Sequence, residues 1–277
     1  VEEIRSGEFG HHPCGVGCII AYDLCREYEK PLPLTTDPPV VDEMEPLARY
    51  SGLKELPRVA NVQSLNIRAM SRHFAESQNK KFEDMRLVTV MLGGGIGVVA
   101  IKEGRMIYSH DSIQGDGPFS NNRCCSVSVS GIIKECYSGE YDLNSMLRHI
   151  NGEGGLVSYL GTTDIRKIME NIEKGDTYAK EVIEAMCYQT AQQIAATAAT
   201  LEGKVDAILL IGGMAHVPFI VSEIKKRSEW IAPVSVLAGE REMEALAQGT
   251  YEVLTGKREM QHFIPQNEKY RRFIDAV

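Results

Sequence analysis

A chain of 277 residues, 43% hydrophobic and 25% charged, is long enough for one large domain or two modest ones around a substantial core. Its net charge of −8, with no basic run beyond Lys225-Lys226-Arg227, argues against a nucleic-acid partner. No stretch has the length and apolarity of a membrane span, no signal-peptide pattern opens the chain, and seven irregularly spaced cysteines suit reduced thiols in a cytoplasmic protein. The opening VEEIRSGEFG has no Met and no first strand, so the chain is expected to start partway through a natural protein.

In chain order, Ile19, Ile20 and Leu24 predict a helix over 15–29. A short strand is expected over 32–36, ended by Asp37-Pro38-Pro39, and a short helix over 41–50, stopped at Gly52. A further helix is expected over 65–77. The apolar run 86–92 predicts a strand, followed by the glycine-rich segment 93–97. Residues 98–102 and 105–109 then form two strands of a hairpin around Glu103-Gly104. After Asp116-Gly117-Pro118 the chain turns helical, most clearly over 177–201, where Gly203 ends the helix. The remainder alternates strand 204–211, helix 217–228, strand 233–237 and helix 242–254, which implies a parallel or mixed sheet with helices packed on it. The polar tail from Gln261 is expected to fray.

The glycine cluster Gly93-Gly94-Gly95-Ile96-Gly97 can be written loosely as a dinucleotide fingerprint. That motif needs a helix directly after the glycines, and Val98-Val99-Ala100-Ile101-Lys102 favours strand instead. A strand–turn–strand remains, in which the absence of side chains lets backbone N–H groups approach an anion. An ordinary hairpin needs fewer than four glycines in five positions. Gly212-Gly213 ends an apolar strand before a helix, the place where open α/β sheets bind ligands, although a plain strand–helix turn has the same form.

Asp37, before two prolines, suits a Mg²⁺ ligand and a turn cap equally. Arg123, in a loop of small polar residues, is a candidate clamp for phosphoryl oxygens; a solvated loop arginine is the simpler alternative. His11-His12-Pro13-Cys14 with Cys18 matches no standard zinc spacing. Cys124-Cys125 has no adjacent base to activate a nucleophile.

Taken together, these segments resemble the butyrate kinases, in the acetokinase branch of the actin-like and sugar-kinase ATPases. The matching residues are Asp37-Pro38-Pro39-Val40-Val41-Asp42-Glu43-Met44, Leu92-Gly93-Gly94-Gly95-Ile96, Gly115-Asp116-Gly117-Pro118-Phe119-Ser120 and Cys136-Tyr137-Ser138-Gly139. The series continues in order through 154–162 and Gly212-Gly213 to 239–247. The resemblance implies a two-domain actin-like ATPase (ribonuclease H-like) α/β fold with an incomplete first domain. Residues 1–84 would be its remainder, and 85–277 a nucleotide-binding domain whose final helix returns toward the first.

It also implies the reversible reaction of butyrate with ATP to butyryl phosphate and ADP, with Mg²⁺, in a cytoplasmic homo-oligomer. By the same resemblance Gly93, Gly94 and Gly95 would approach the nucleotide phosphates. Gly212 and Gly213, with the 154–164 region including Gly161 and Asp164, would lie near the adenosine. Asp37 would sit on the acyl or metal side, Arg123 would stabilise the transferring phosphoryl group, and His12 would line the substrate cleft.

Four departures stand out. Met91 occupies a position where relatives carry His, and a thioether donates no hydrogen bond. Arg123-Cys124-Cys125 lacks the Gly and Pro of the related loop, and His12-Pro13-Cys14-Gly15 replaces His-Ala-Ser-Asn. An opening strand with an Asn-Pro-Gly-Ser-Thr-Ser turn is not in the sequence, so the chain alone is expected to be weak or inactive. Two alternatives remain open: a degenerate relative that binds nucleotide or a partner without turnover, and another actin-fold small-molecule kinase.

Overall fold

The computed structural model describes residue 5 and residues 13–28, 33–39 and 43–260. Helix α1 (Pro13–Cys25) and a 3₁₀ turn (Pro46–Arg49) precede helix α2 (Ser64–Ser77). The strands β1 (Leu87–Leu92), β2 (Ile96–Lys102) and β3 (Arg105–Tyr108) follow. Four short helices come next: α3 (Val129–Cys136), α4 (Leu143–Ile150), α5 (Gly155–Leu160) and α6 (Ile165–Glu173). Helix α7 (Thr177–Thr200), β4 (Ala207–Gly212), α8 (Pro218–Ser228), β5 (Val234–Ala238) and α9 (Glu242–Leu254) complete the order. No helix of the described residues is long and apolar enough to cross a membrane.

The strands form one five-stranded sheet in the order β3-β2-β1-β4-β5. β2 runs antiparallel to β1 and β3, while β1, β4 and β5 are parallel. Strands β1, β3, β4 and β5 therefore all finish on the same edge.

Every residue of β1 and β4 is buried, as the unbroken apolar runs require of central strands covered on both faces. On one face Val88, Val90, Leu92, Ile208 and Leu210 pack with Ile183, Met186 and Ile194 of α7 and Ile220 and Ile224 of α8. On the other, Leu87, Met91, Leu209 and Ile211 meet Ile67, Met70, Phe74 and Ala75 of α2. Thr89 also lies between Leu87 and Met91, fully buried, and its hydroxyl is satisfied by Ser71 of α2 at 2.9 Å. Burying a fully apolar side chain in such layers stabilises by about 1.5–3 kcal/mol each, so this sheet anchors the edge that carries the glycines.

Two expected elements differ. Residues 33–36 form no strand: Pro33 has no N–H to donate, and Thr36 instead packs against α9, where a Cβ on Gly249 would lie 2.3 Å from its methyl carbon. The helix expected over 41–50 is reduced, within the described residues, to the single 3₁₀ turn. Pro46 starts that turn and holds Glu45 extended (φ −61°, ψ 147°), as a residue before proline prefers. The hairpin at Glu103-Gly104 is as expected, with φ of 54° and 70°, the left-handed pair that fits a two-residue turn to twisted strands.

Candidate functional site

The shared strand edge collects the glycines. β1 runs into Gly93, Gly94 and Gly95, where the Gly93 N–H donates to the Gly95 carbonyl at 3.1 Å and Gly94 is exposed at the tip. At the end of β4, Gly212 has φ 89° and ψ 179°, a backbone region that only glycine occupies readily. A Cβ there would lie 2.6 Å from the Leu92 carbonyl oxygen. Gly212 and Gly239, which follows β5, exchange N–H···O bonds of 3.0 Å each way. The two glycine turns are thus adjacent, with Gly213 exposed beside them.

Arg123 comes to the same edge from the loop after Phe119. Its Nη1 donates to the Ser112 carbonyl at 2.9 Å and its Nε to Asn151 Oδ1 at 3.1 Å. A Cβ on Gly95 would collide with Nη1, so the glycine is what lets the guanidinium lie against the turn. Ser120 Oγ donates to the Gly94 carbonyl at 2.7 Å and ties the loop to the turn. Burial pulls the Arg123 pKa down while the nearby Asp111 carboxylate raises it, the signature of a guanidinium taken partly out of water.

The segment Gly154-Gly155 clasps this loop from behind. At Gly155 (φ 62°) a Cβ would run into the Ser120 carbonyl, and at Gly154 it would lie 2.6 Å from the Cys124 nitrogen. The first N–H groups of α5 donate to the loop: Leu156 to the Ser120 carbonyl at 2.9 Å and Val157 to that of Asn121 at 3.0 Å. Gly161 is the left-handed C-cap of α5 (φ 69°), and Asp164 caps α6 by accepting from Arg166 N and Lys167 N. The local geometry of both is accounted for by these caps.

Asp111 and His110 follow β3 onto the same edge and were not singled out from sequence. Burial pushes the Asp111 pKa up to about 6, opposed by hydrogen bonds from Gln114 N at 3.0 Å, from Ile113 N and from Asn61. A carboxylate left this short of solvent beside a cationic loop marks a candidate functional position. His110 is buried, with Nε2 2.9 Å from the Ile96 carbonyl, and burial pulls its pKa down. Both residues line a crevice of about 180 Å³ with Arg58 and Asp116.

Asp37 lies in a groove of about 400 Å³ between α2 and α9, with Arg72, His73, Arg241 and Glu252. Its φ of 42° is the left-handed value that Asp tolerates better than most residues. Oδ1 is 3.0 Å from Arg68 Nε and Oδ2 is 4.0 Å from Arg258 Nη1. Burial raises its pKa, against the pull of the two arginines. Arg68 also binds Glu43 at 2.9 Å, so Asp37 belongs to an ion network with both oxygens facing cations. Among the described residues no group of three His, Cys, Asp or Glu side chains could hold a metal ion. The groove meets the glycine edge at Arg241, whose N–H donates to Asn66 Oδ1 at 3.1 Å. Asn66 in turn donates to Met91 Sδ at 3.5 Å, and Met91 is buried. His12 lies outside the described residues.

The structure thus joins Gly93, Gly94, Gly95, Gly212, Gly213 and Arg123 at one edge, with Asp37 in the neighbouring groove. The pattern of the acetokinase family matches residues 66–229, more than half of the chain and all of this edge from β1 to β4. The chain belongs to the acetokinase family. Solved structures agree on the fold. Acetate kinase from Porphyromonas gingivalis superposes with a TM-score of 0.70 at 17% identity, covering 79% of this chain and 63% of that one. A propionate kinase from Francisella tularensis gives 0.67 at 18% identity, covering 75% and 61%. Acetate kinase from Entamoeba histolytica gives 0.66 at 14% identity, covering 75% and 63%. The likeness shows the actin-like ATPase fold of the acetokinases, and the chain spans less than two thirds of the length of these relatives.

Proposed function

We propose that the protein is an acyl kinase, transferring the terminal phosphoryl group of ATP to a short-chain carboxylate, with butyrate as the preferred acceptor among acetate, propionate and butyrate. Family membership supports the reaction class. The observation that carries the proposal is the Arg123 guanidinium held against the Gly93–Gly95 turn, beside Gly212 and Gly213. A carboxylate acceptor is already anionic, so the protein needs no strong general base. It must offset the repulsion between acceptor and phosphates. Arg123 and the backbone N–H groups of the turn suit that work, and they cost no reorganisation because they are already in place.

ATP would enter along the shared strand edge, with its phosphates at Gly93–Gly95 and its nucleoside toward Gly212 and Gly213. Mg²⁺ would arrive with the nucleotide, since this ion keeps several waters and takes only one or two carboxylates. Asp37 would reach it only by exchanging Arg68 and Arg258 for the cation. We further propose a division into 1–84 and 85–277, a cytoplasmic location and a homo-oligomeric state, each resting on the sequence resemblance.

The test is acyl phosphate trapping with hydroxylamine on the protein at its natural full length, with ATP, Mg²⁺ and acetate, propionate, butyrate or branched acids. Hydroxamate formed fastest with butyrate is expected. No hydroxamate with any acid would sink the enzyme claim, and a faster rate with acetate would sink the chain-length claim. The buried Met91 favours one second reading, a relative that binds nucleotide without turnover. ATP binding by calorimetry with no hydroxamate would select it.

A further inference from the structure

We infer that Asn151 is a positioning residue for Arg123, fixing the plane and direction of its guanidinium at the glycine turn. What Arg123 does there rests on the acyl-kinase proposal; the clamp itself rests on geometry alone.

A guanidinium is a rigid planar fork with five N–H donors. Here Nε is held by Asn151 Oδ1 at 3.1 Å and Nη1 by the Ser112 carbonyl at 2.9 Å. Two bonds at different nitrogens fix both the plane and the rotation of the fork. Nη2 has no partner among the described residues and is left for an anion. Asn151 cannot swing its amide to serve another purpose, because Nδ2 donates to the Ile113 carbonyl at 2.7 Å. A flipped amide would set its NH₂ against the Arg123 Nε–H and its oxygen against a carbonyl. The backbones of Arg123 and Asn151 also pair as an isolated antiparallel bridge, so their relative height is set as well. The side chain that decides where Arg123 points thus lies 28 positions away, at the end of α4, inside an Asn-Gly-Glu-Gly-Gly stretch that reads as a simple turn.

The consequence is specific. Asn151 touches no proposed substrate group, so its loss should disturb orientation more than nucleotide binding. In Asn151→Ala, kcat should fall about 10–100-fold while KM for ATP stays within about threefold. In Arg123→Ala the Asn151 side chain has nothing left to orient. The double variant Arg123→Ala/Asn151→Ala should therefore match Arg123→Ala within about twofold. A purely structural role for Asn151 would instead multiply the two losses.

A second measurement does not depend on activity. In protein labelled with ¹⁵N-arginine, the Arg123 Nε–H should give a slowly exchanging signal, assigned by its loss in Arg123→Lys. It should vanish into fast exchange in Asn151→Ala while the backbone amide spectrum keeps its dispersion. A signal indifferent to Asn151, or multiplicative kinetic losses, overturns the inference. If the wild-type protein forms no hydroxamate but the Nε–H signal depends on Asn151, the acyl-kinase proposal falls and the clamp stands.

Discussion

Gly212 and Gly213 are neighbours with opposite demands, and replacing each with alanine separates them. Gly212 has φ 89° and ψ 179°, and a residue with a Cβ in that region costs about 1–3 kcal/mol. The added methyl would also lie 2.6 Å from the Leu92 oxygen, 3.0 Å from its carbon and 3.1 Å from its nitrogen. These are backbone atoms of the central strand β1, which is fully buried and paired on both sides, so they cannot yield as a side-chain tip would. Overpacking of this kind adds about 1–3 kcal/mol. Gly212→Ala should therefore lose about 2–6 kcal/mol, a fall in Tm of at least ~5 °C for a chain of this size. Gly213→Ala meets no atom within 4 Å and no positive φ, and should stay within about 0.5 kcal/mol of the parent. Thermal unfolding followed by circular dichroism measures both. Equal Tm values for the two variants would refute the claim that the β1 and β4 ends are locked together through Gly212.

Three further outcomes are expected. Gly95→Ala places a methyl on Arg123 Nη1 and should lower kcat by about 10²-fold, because the guanidinium must leave the turn; unchanged kcat in the hydroxamate assay would refute that placement. Asn66 is fully buried and its Oδ1 accepts from the Arg241 backbone N–H, so Asn66→Ala should cost about 1–3 kcal/mol in urea unfolding, with no loss there contradicting the bond. Asp111 has a folded pKa raised to about 6 from an ordinary 3.8, so its contribution to stability is fully present below pH 3.8 and is lost as pH rises through 6. Asp111→Asn should abolish that decline and raise Tm at pH 8 by a few degrees, whereas a Tm lowered at pH 8 would show that the carboxylate is paired rather than strained.

Much of this architecture is legible in local pattern. The apolar runs 86–92 and 204–211 announce buried central strands because a strand covered on both faces has no solvent side to mark with polar residues. The glycine clusters announce turns because only glycine leaves the backbone accessible and free to take φ near 90°. Arg123 was visible as a candidate, but its surroundings were not. Residues 33–36 form no strand because Thr36 packs against Gly249 of α9, a packing choice no local rule contains.

Composition and short-range spacing in the sequence thus determined the strands, the glycine turns and the alternation that makes a parallel core. Only the tertiary structure decided that β3 ends on the same edge as β1 and delivers Asp111 there, that Gly154-Gly155 backs the Arg123 loop, and that Asn151 aims the guanidinium. These are contacts between segments tens of residues apart. They arise from how loops settle on an already formed sheet, and a hydrogen bond of 3.1 Å between two loop residues leaves no periodic trace in the sequence that forms it.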